Sequence, residues 1–123
     1  SEVSPEAYFN DNPAFKEFKG ALAENYVLQS LTASGVKCSR YWASGNKAEV
    51  EFIIQEGLDI IPIEVKSGTS VTGKSLVEYN KKYSPKLRLR FSMLNMKKDD
   101  TFVNMPLFMA DRAKELIERL TCQ

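Results

Sequence analysis

The sequence predicts a mixed α/β (α+β) domain. The expected order is α-β-β-β-α-β, with a mixed sheet flanked by helices and one further helix at the end. Three observations carry this. Apolar residues recur at helical spacing between Asp11-Asn12-Pro13 and Gly35. Short strand-like runs follow, split by Gly-Asn and Gly-Leu pairs of the kind that close hairpins. Then a charged helical stretch leads into a strand with leucines on alternate positions.

Each element has a local reason. Asn12 offers a capping side chain, and Pro13 suits the first helical position. The helix should run to about Ala33 and stop at Gly35. Phe15, Phe18, Leu22 and Tyr26 form one stripe on it, and Val27, Leu28 and Leu31 form another that includes Glu24. Strands are expected at about Val36–Ala43, Ala48–Gln55 and Ile60–Lys66. A helix from about Ser75 to Tyr83 and a turn at Ser84-Pro85 precede a strand from Leu87 to about Leu94. On that strand Leu87, Leu89, Phe91 and Met93 share one face. Lys97–Asp100 reads as a polar loop, and a helix from Pro106 or Met109 to Leu120 buries Leu116, Ile117 and Leu120.

With 123 residues, 43% of them hydrophobic and 27% charged, the chain is one domain with a modest core. Residues 1–10 read as a leader or linker and 11–123 as the domain. The chain opens at Ser1 rather than Met, which reads as a piece of a longer parent. No apolar run approaches the roughly 20 residues a bilayer span needs, so a cytoplasmic location is expected. Cys38 and Cys122 read as reduced, non-functional thiols. The absence of histidine excludes an imidazole base and any His-ligated zinc. Catalysis would have to use carboxylates, lysine, hydroxyls, tyrosine or an oxygen-ligated metal.

Gly68–Ser75 reads GTSVTGKS and fits the phosphate-cradling pattern G-x-x-x-x-G-K-[ST]. Its context argues against nucleotide binding. The preceding strand carries Glu64 and Lys66 on one face, and hairpins feed it, which implies antiparallel neighbours. No later strand ends in the acid needed to hold magnesium. No nucleotide is expected in this domain.

The hairpin arithmetic is more informative. A two-residue loop at Gly57-Leu58 pairs Glu56 with Asp59 and sets Glu51 directly opposite Glu64. Opposed like charges are destabilising and need an offset, such as a cation, a lysine or a shared proton. Lys66 shares that face, and Glu24 would complete the cluster from the helix. Glu24, Glu51 and Glu64 suit Mg²⁺ or Mn²⁺, and with Lys66 they suit metal-assisted phosphodiester hydrolysis. A plain ion-pair lattice explains the same residues. A turn at Ser44–Lys47 would set Arg40 opposite Glu51, leaving Arg40 and Lys66 to neutralise the two acids.

The element order, the helix acid, the acid in the second strand and E-x-K in the third resemble the PD-(D/E)XK nuclease superfamily, with its restriction-endonuclease-like fold. More narrowly, several pieces resemble the domain of unknown function found C-terminal to bacterial and archaeal AAA-type ATPase modules. They are Gly20 with Glu24-Asn25-Tyr26-Val27, Tyr41-Trp42, Glu49–Ile54, Ile61–Gly68, Lys74-Ser75-Leu76, Tyr83 and Asn104–Leu107. The resemblance covers about residues 15–110. It implies a nuclease-like site at Glu24, Glu51, Glu64 and Lys66, and an N-terminal ATPase module as partner. Glu51 stands where that family usually has Asp, and the Pro-Asp pair that names the superfamily is missing.

Charge is uneven. Residues 1–64 hold ten acids and five bases, while residues 65–123 hold twelve bases and six acids. Lys74, Lys81, Lys82, Lys86, Arg88 and Arg90 are the candidate contacts to nucleic acid, expected to be DNA. A solvated helix end and a charged strand edge explain them equally. The last helix is a packing helix or a contact in a homo-oligomer. The reading is a nuclease-like domain beside an ATPase. Its alternatives are an inactive DNA-binding module and an assembly module of the same fold.

Overall fold

The computed structural model describes residues 12–40, 50, 52–68 and 74–122. Helix α1 spans Pro13–Ala33. The Asn12 side chain accepts hydrogen bonds from the Ala14 and Phe15 amides, at 2.9 and 3.3 Å. Gly35 ends the helix at φ +85, a conformation that favours glycine, and the Val36 amide returns to the Leu31 carbonyl at 2.9 Å.

Strands β1 (Lys37–Arg40), β2 (Phe52–Glu56) and β3 (Asp59–Val65) form an antiparallel meander. The expected hairpin register between β2 and β3 is observed, with Glu56 paired to Asp59 and Phe52 to Ile63. Gly57 takes φ +61 while Leu58 stays at negative φ, as a type II′ turn requires.

Helix α2 (Lys74–Tyr83) leads to β4 (Arg88–Ser92). Strands β5 (Lys97–Asp99) and β6 (Phe102–Pro106) follow. A 3-10 turn over Leu107–Arg112 then feeds helix α3 (Ala113–Thr121). The six strands lie in the order β1-β2-β3-β4-β6-β5. β3, β4 and β6 run parallel, and β5 returns antiparallel on the edge.

Several expectations are corrected. The β1–β2 register sets Arg40 opposite Phe52, not Glu51. A shift of one residue exchanges the two faces of a strand, and the Arg40 guanidinium lies 5.5 Å from the Phe52 ring centroid. The third strand is antiparallel to β2 only, because α2 is long enough to return the chain parallel on its other side. Lys97–Asp99 is a strand rather than part of a loop. Its charges suit an exposed edge, and Asp100 turns the chain at φ 54. Met93 lies beyond the end of β4 and is exposed, so it leaves the face shared by Leu87, Leu89 and Phe91. The terminal helix opens with a 3-10 segment before becoming α-helical at Ala113.

One face of the sheet carries the core. Val27 and Leu31 of α1, Ile61, Ile63 and Val65 of β3, Leu89 and Phe91 of β4, and Ile117 of α3 belong to one buried cluster. Of the two α1 stripes, the core takes the Val27–Leu31 stripe. Phe18, Leu22 and Tyr26 stay 58%, 52% and 43% exposed. The second face is covered over β3 by α2, whose Leu76 is buried outside that core cluster. Replacing Phe91 by Ala should cost about 3–5 kcal/mol of stability. Replacing Met93, two residues on, should change it by less than about 0.5 kcal/mol. Urea denaturation of both variants checks where the strand ends.

Candidate functional site

Alternation along β3 sends Ile61, Ile63 and Val65 into the core and Pro62 and Glu64 to the second face, where both are also buried. Glu64 keeps only 1% of its surface. Neither of its oxygens has a hydrogen-bond partner among the described residues. Among the described residues the nearest cation is Lys66 Nζ, 3.6 Å from Oε1, an ion pair longer than a good hydrogen bond, and Lys66 is partly open to solvent.

β4 lies beside β3 with Arg90 paired to Glu64, so both side chains share the second face. Desolvation pushes the Glu64 carboxyl above its ordinary pKa, and the charges of Lys66 and Arg90 pull the other way. Burial lowers Arg90, and the Glu64 charge partly offsets that.

Next across the sheet is β6, with Asn104 paired to Arg90. Asn104 is buried and every polar atom of its amide is engaged. Its Oδ1 accepts from Arg90 Nε at 3.0 Å and from Ser92 Oγ at 2.6 Å. Its Nδ2 donates to the Leu94 and Asn95 carbonyls at 3.2 and 2.9 Å. Sequence reasoning missed Asn104 and Ser92 as site residues. The available signal was an amide inside the apolar run Phe102-Val103-Asn104-Met105-Pro106. Arg88, also on this face, donates from Nε to Thr101 Oγ1 at 3.3 Å.

Of the sequence-derived site residues, Glu64, Lys66, Arg88 and Arg90 come together on this face of the sheet. Glu24 is half-buried on α1, one turn after Gly20. A Cβ at Gly20 would lie 3.9 Å from Ser67 Oγ, so α1 passes close to the chain just beyond Lys66. Glu51 lies outside the described residues, as does most of GTSVTGKS. Lys74 opens α2. Lys81 is bridged to Glu78 and Lys86 to Asp59, each at 3.6 Å, so both are partly neutralised within the chain. The Lys82 ammonium stands 5.2 Å from the Tyr83 ring centroid.

The buried carboxylate fits a cation as one ligand, because its lone pairs find no donor among the described residues. Among the described residues no three acidic or thiol groups gather to hold a metal, so a carboxylate cage would need an acid outside them, such as Glu51. A proton is the other occupant that would quiet those oxygens. No helix among the described residues is long and apolar enough to cross a membrane.

Burial of Glu64 has a pH consequence. Between the ordinary carboxyl value of about 4.3 and the raised folded value, the folded chain holds a proton that the unfolded chain has released. Stability therefore falls as pH rises through that window. Glu64→Gln should raise the urea midpoint at pH 7, and the difference from wild type should shrink below about pH 4. Paired denaturation curves across pH 3–8 check this.

The family described as "Domain of unknown function (DUF4143)" matches residues 19–108, from the middle of α1 through β6. No curated protein and no solved structure matches the chain. With most of its length and its whole sheet inside that match, the chain belongs to the DUF4143 family.

Proposed function

We propose that this is a nuclease-like domain of the PD-(D/E)XK kind, acting on nucleic acid beside an ATPase module in its parent protein. The observation that carries the reading is Glu64: a carboxylate buried to 1% exposure, without a hydrogen-bond donor among the described residues, beside Lys66 and Arg90. A fold spends stability on such a group only where something compensates, and such groups concentrate at functional sites. The observed β2–β3 register is the one from which Glu51 was placed opposite Glu64, which supports a two-carboxylate site. The αβββαβ order supports the restriction-endonuclease-like comparison.

In this reading Glu64, with Glu51 and Glu24, would hold Mg²⁺ or Mn²⁺. The metal would polarise a phosphate and acidify a bound water. Lys66 is open enough to reach a substrate and close enough to Glu64 to be held in place. It would orient the attacking water or meet charge developing on the phosphate. The cations of α2 and β4 would supply sequence-independent attraction to the nucleic-acid backbone.

A second reading, an assembly module without catalysis, is favoured by one observation. Phe18, Leu22 and Tyr26 present an apolar stripe on α1 that the core leaves exposed.

Incubation with single- and double-stranded DNA in Mn²⁺ should give cleavage that chelation abolishes. Lys66→Ala and Glu64→Ala should each lower the cleavage rate by about 10²–10³ while DNA affinity, followed by fluorescence anisotropy, stays near wild type. Affinity without cleavage in the wild-type chain would leave an inactive DNA-binding module. Neither cleavage nor affinity at low salt would leave the assembly reading.

A further inference from the structure

The second face of the sheet holds an arrangement that the metal chemistry does not use. Arg88 and Arg90 are two apart on β4 and therefore point the same way. Both stand over the ring of Phe102 on the neighbouring strand, with guanidinium carbons 5.6 and 4.7 Å from its centroid. Each is also tied through Nε to a neutral acceptor, Thr101 Oγ1 for Arg88 and Asn104 Oδ1 for Arg90. Among the described residues neither guanidinium forms a salt bridge with a carboxylate. Both are half-buried.

This differs from an ordinary basic surface. A surface arginine ranges over many rotamers and must be ordered before it grips an anion. Here the contact with the Phe102 ring and the Nε bonds restrict both guanidinium groups in advance, and the hydrogen bonds leave the Nη donors free of partners among the described residues. Asn104 is itself held on both amide atoms, so it cannot swing away from Arg90. An Asp at position 104 would have paired with Arg90 and spent its charge. The neutral amide orients the arginine and leaves the charge available. Asp99 shares this face at the sheet edge, paired with Phe102, and Glu64 flanks Arg90 on the other side. The chemistry left open between them is that of a single tetrahedral oxyanion met by planar donor forks.

We propose that Arg88 and Arg90 form a paired guanidinium clamp for one phosphate group, with Phe102 as its platform and Asn104 as a positioning residue that sets Arg90. The clamp rests on the nucleic-acid side of the function proposed above and not on the metal chemistry. Its ligand is a phosphate group, either a backbone phosphodiester or the terminal phosphate of a nucleotide.

The test is NMR titration of the whole chain, following the arginine Nε–Hε resonances. Three probes are used: inorganic phosphate, a 5′-mononucleotide, and a thymidine oligonucleotide with a 5′-hydroxyl end. Saturable shifts of both Arg88 and Arg90 are expected. A response to the hydroxyl-ended oligonucleotide assigns the clamp to backbone phosphate. A response confined to the other two assigns it to a terminal phosphate.

The double variant Arg88→Lys with Arg90→Lys keeps the charge and loses the forks. It should bind the responding probe at least about five-fold more weakly. Phe102→Leu should weaken binding through loss of the platform. Asn104→Asp, which keeps the acceptor and adds a competing charge, should weaken phosphate binding with the Arg90 Nε signal still in its bonded position. Two results overturn the clamp: no shift of either arginine with any probe, or equal affinity in the double lysine variant. Cleavage in Mn²⁺ reads the Glu64–Lys66 chemistry separately, so either idea can fail without the other.

Discussion

The constraint on which this structure turns is the placement of Glu64 on a strand buried on both faces. β3 sits between an antiparallel neighbour and a parallel one, with the core under one face and α2 over the other. A residue there gives up its water on folding. For Ile61 and Ile63 that is the main source of stability. For Glu64 it is a cost, because no donor among the described residues replaces the lost water. The charges of Lys66 and Arg90 reduce that cost. The second face has accordingly become polar around this point, with Arg90, Ser92 and Asn104 set side by side on the parallel strands.

That polar region is organised from β6 inward. Asn104 is satisfied on every side by Arg90, Ser92 and the carbonyls of Leu94 and Asn95. A fully satisfied buried network rigidifies its surroundings, whereas a half-satisfied one weakens them. Asn104 is of the first kind and Glu64 of the second. Their contrast sets, within one face, a fully bonded amide beside a carboxylate without a hydrogen-bond donor among the described residues. The segment after β4 is anchored through the same amide, which explains how Met93, Leu94 and Met96 can be exposed while the turn keeps its place.

What could be read from the sequence follows the range of the forces involved. Asn12, Pro13 and Gly35 act within a few residues of themselves, and they marked the ends of α1 to within a residue. The Gly57-Leu58 turn likewise set the β2–β3 register, because two residues leave a hairpin almost no choice. The β1–β2 register differs by one residue from the one expected of a turn at Ser44–Lys47, since a Gly-Asn pair is a weaker constraint on register than the observed Gly57-Leu58 turn. Which stripe of α1 would be buried could not be chosen from periodicity, since both are apolar at helical spacing. Only the sheet, built from distant residues, selects Val27 and Leu31 over Phe18 and Leu22. The β5–β6 hairpin was hidden for a related reason: Lys97-Lys98-Asp99 has loop composition and becomes a strand only because β6 offers an edge.

The site divides along the same line. Glu64 and Lys66 were legible because E-x-K places both side chains on one strand face whatever the fold. Asn104 and Ser92 were not, because their role exists only once β4 and β6 lie parallel with Arg90 opposite Asn104. Between Glu64 and Arg90 the structure joins the two kinds. A residue recognisable by local spacing is flanked by one whose orientation depends on a strand joined to it through a hairpin on the far edge. Loosening β6 would therefore disturb Arg90 and reach Glu64 through it, and it would also loosen the core on the opposite face, to which β6 contributes Val103 and Met105. The chemistry of this face thus depends on the elements that periodicity alone least reveals.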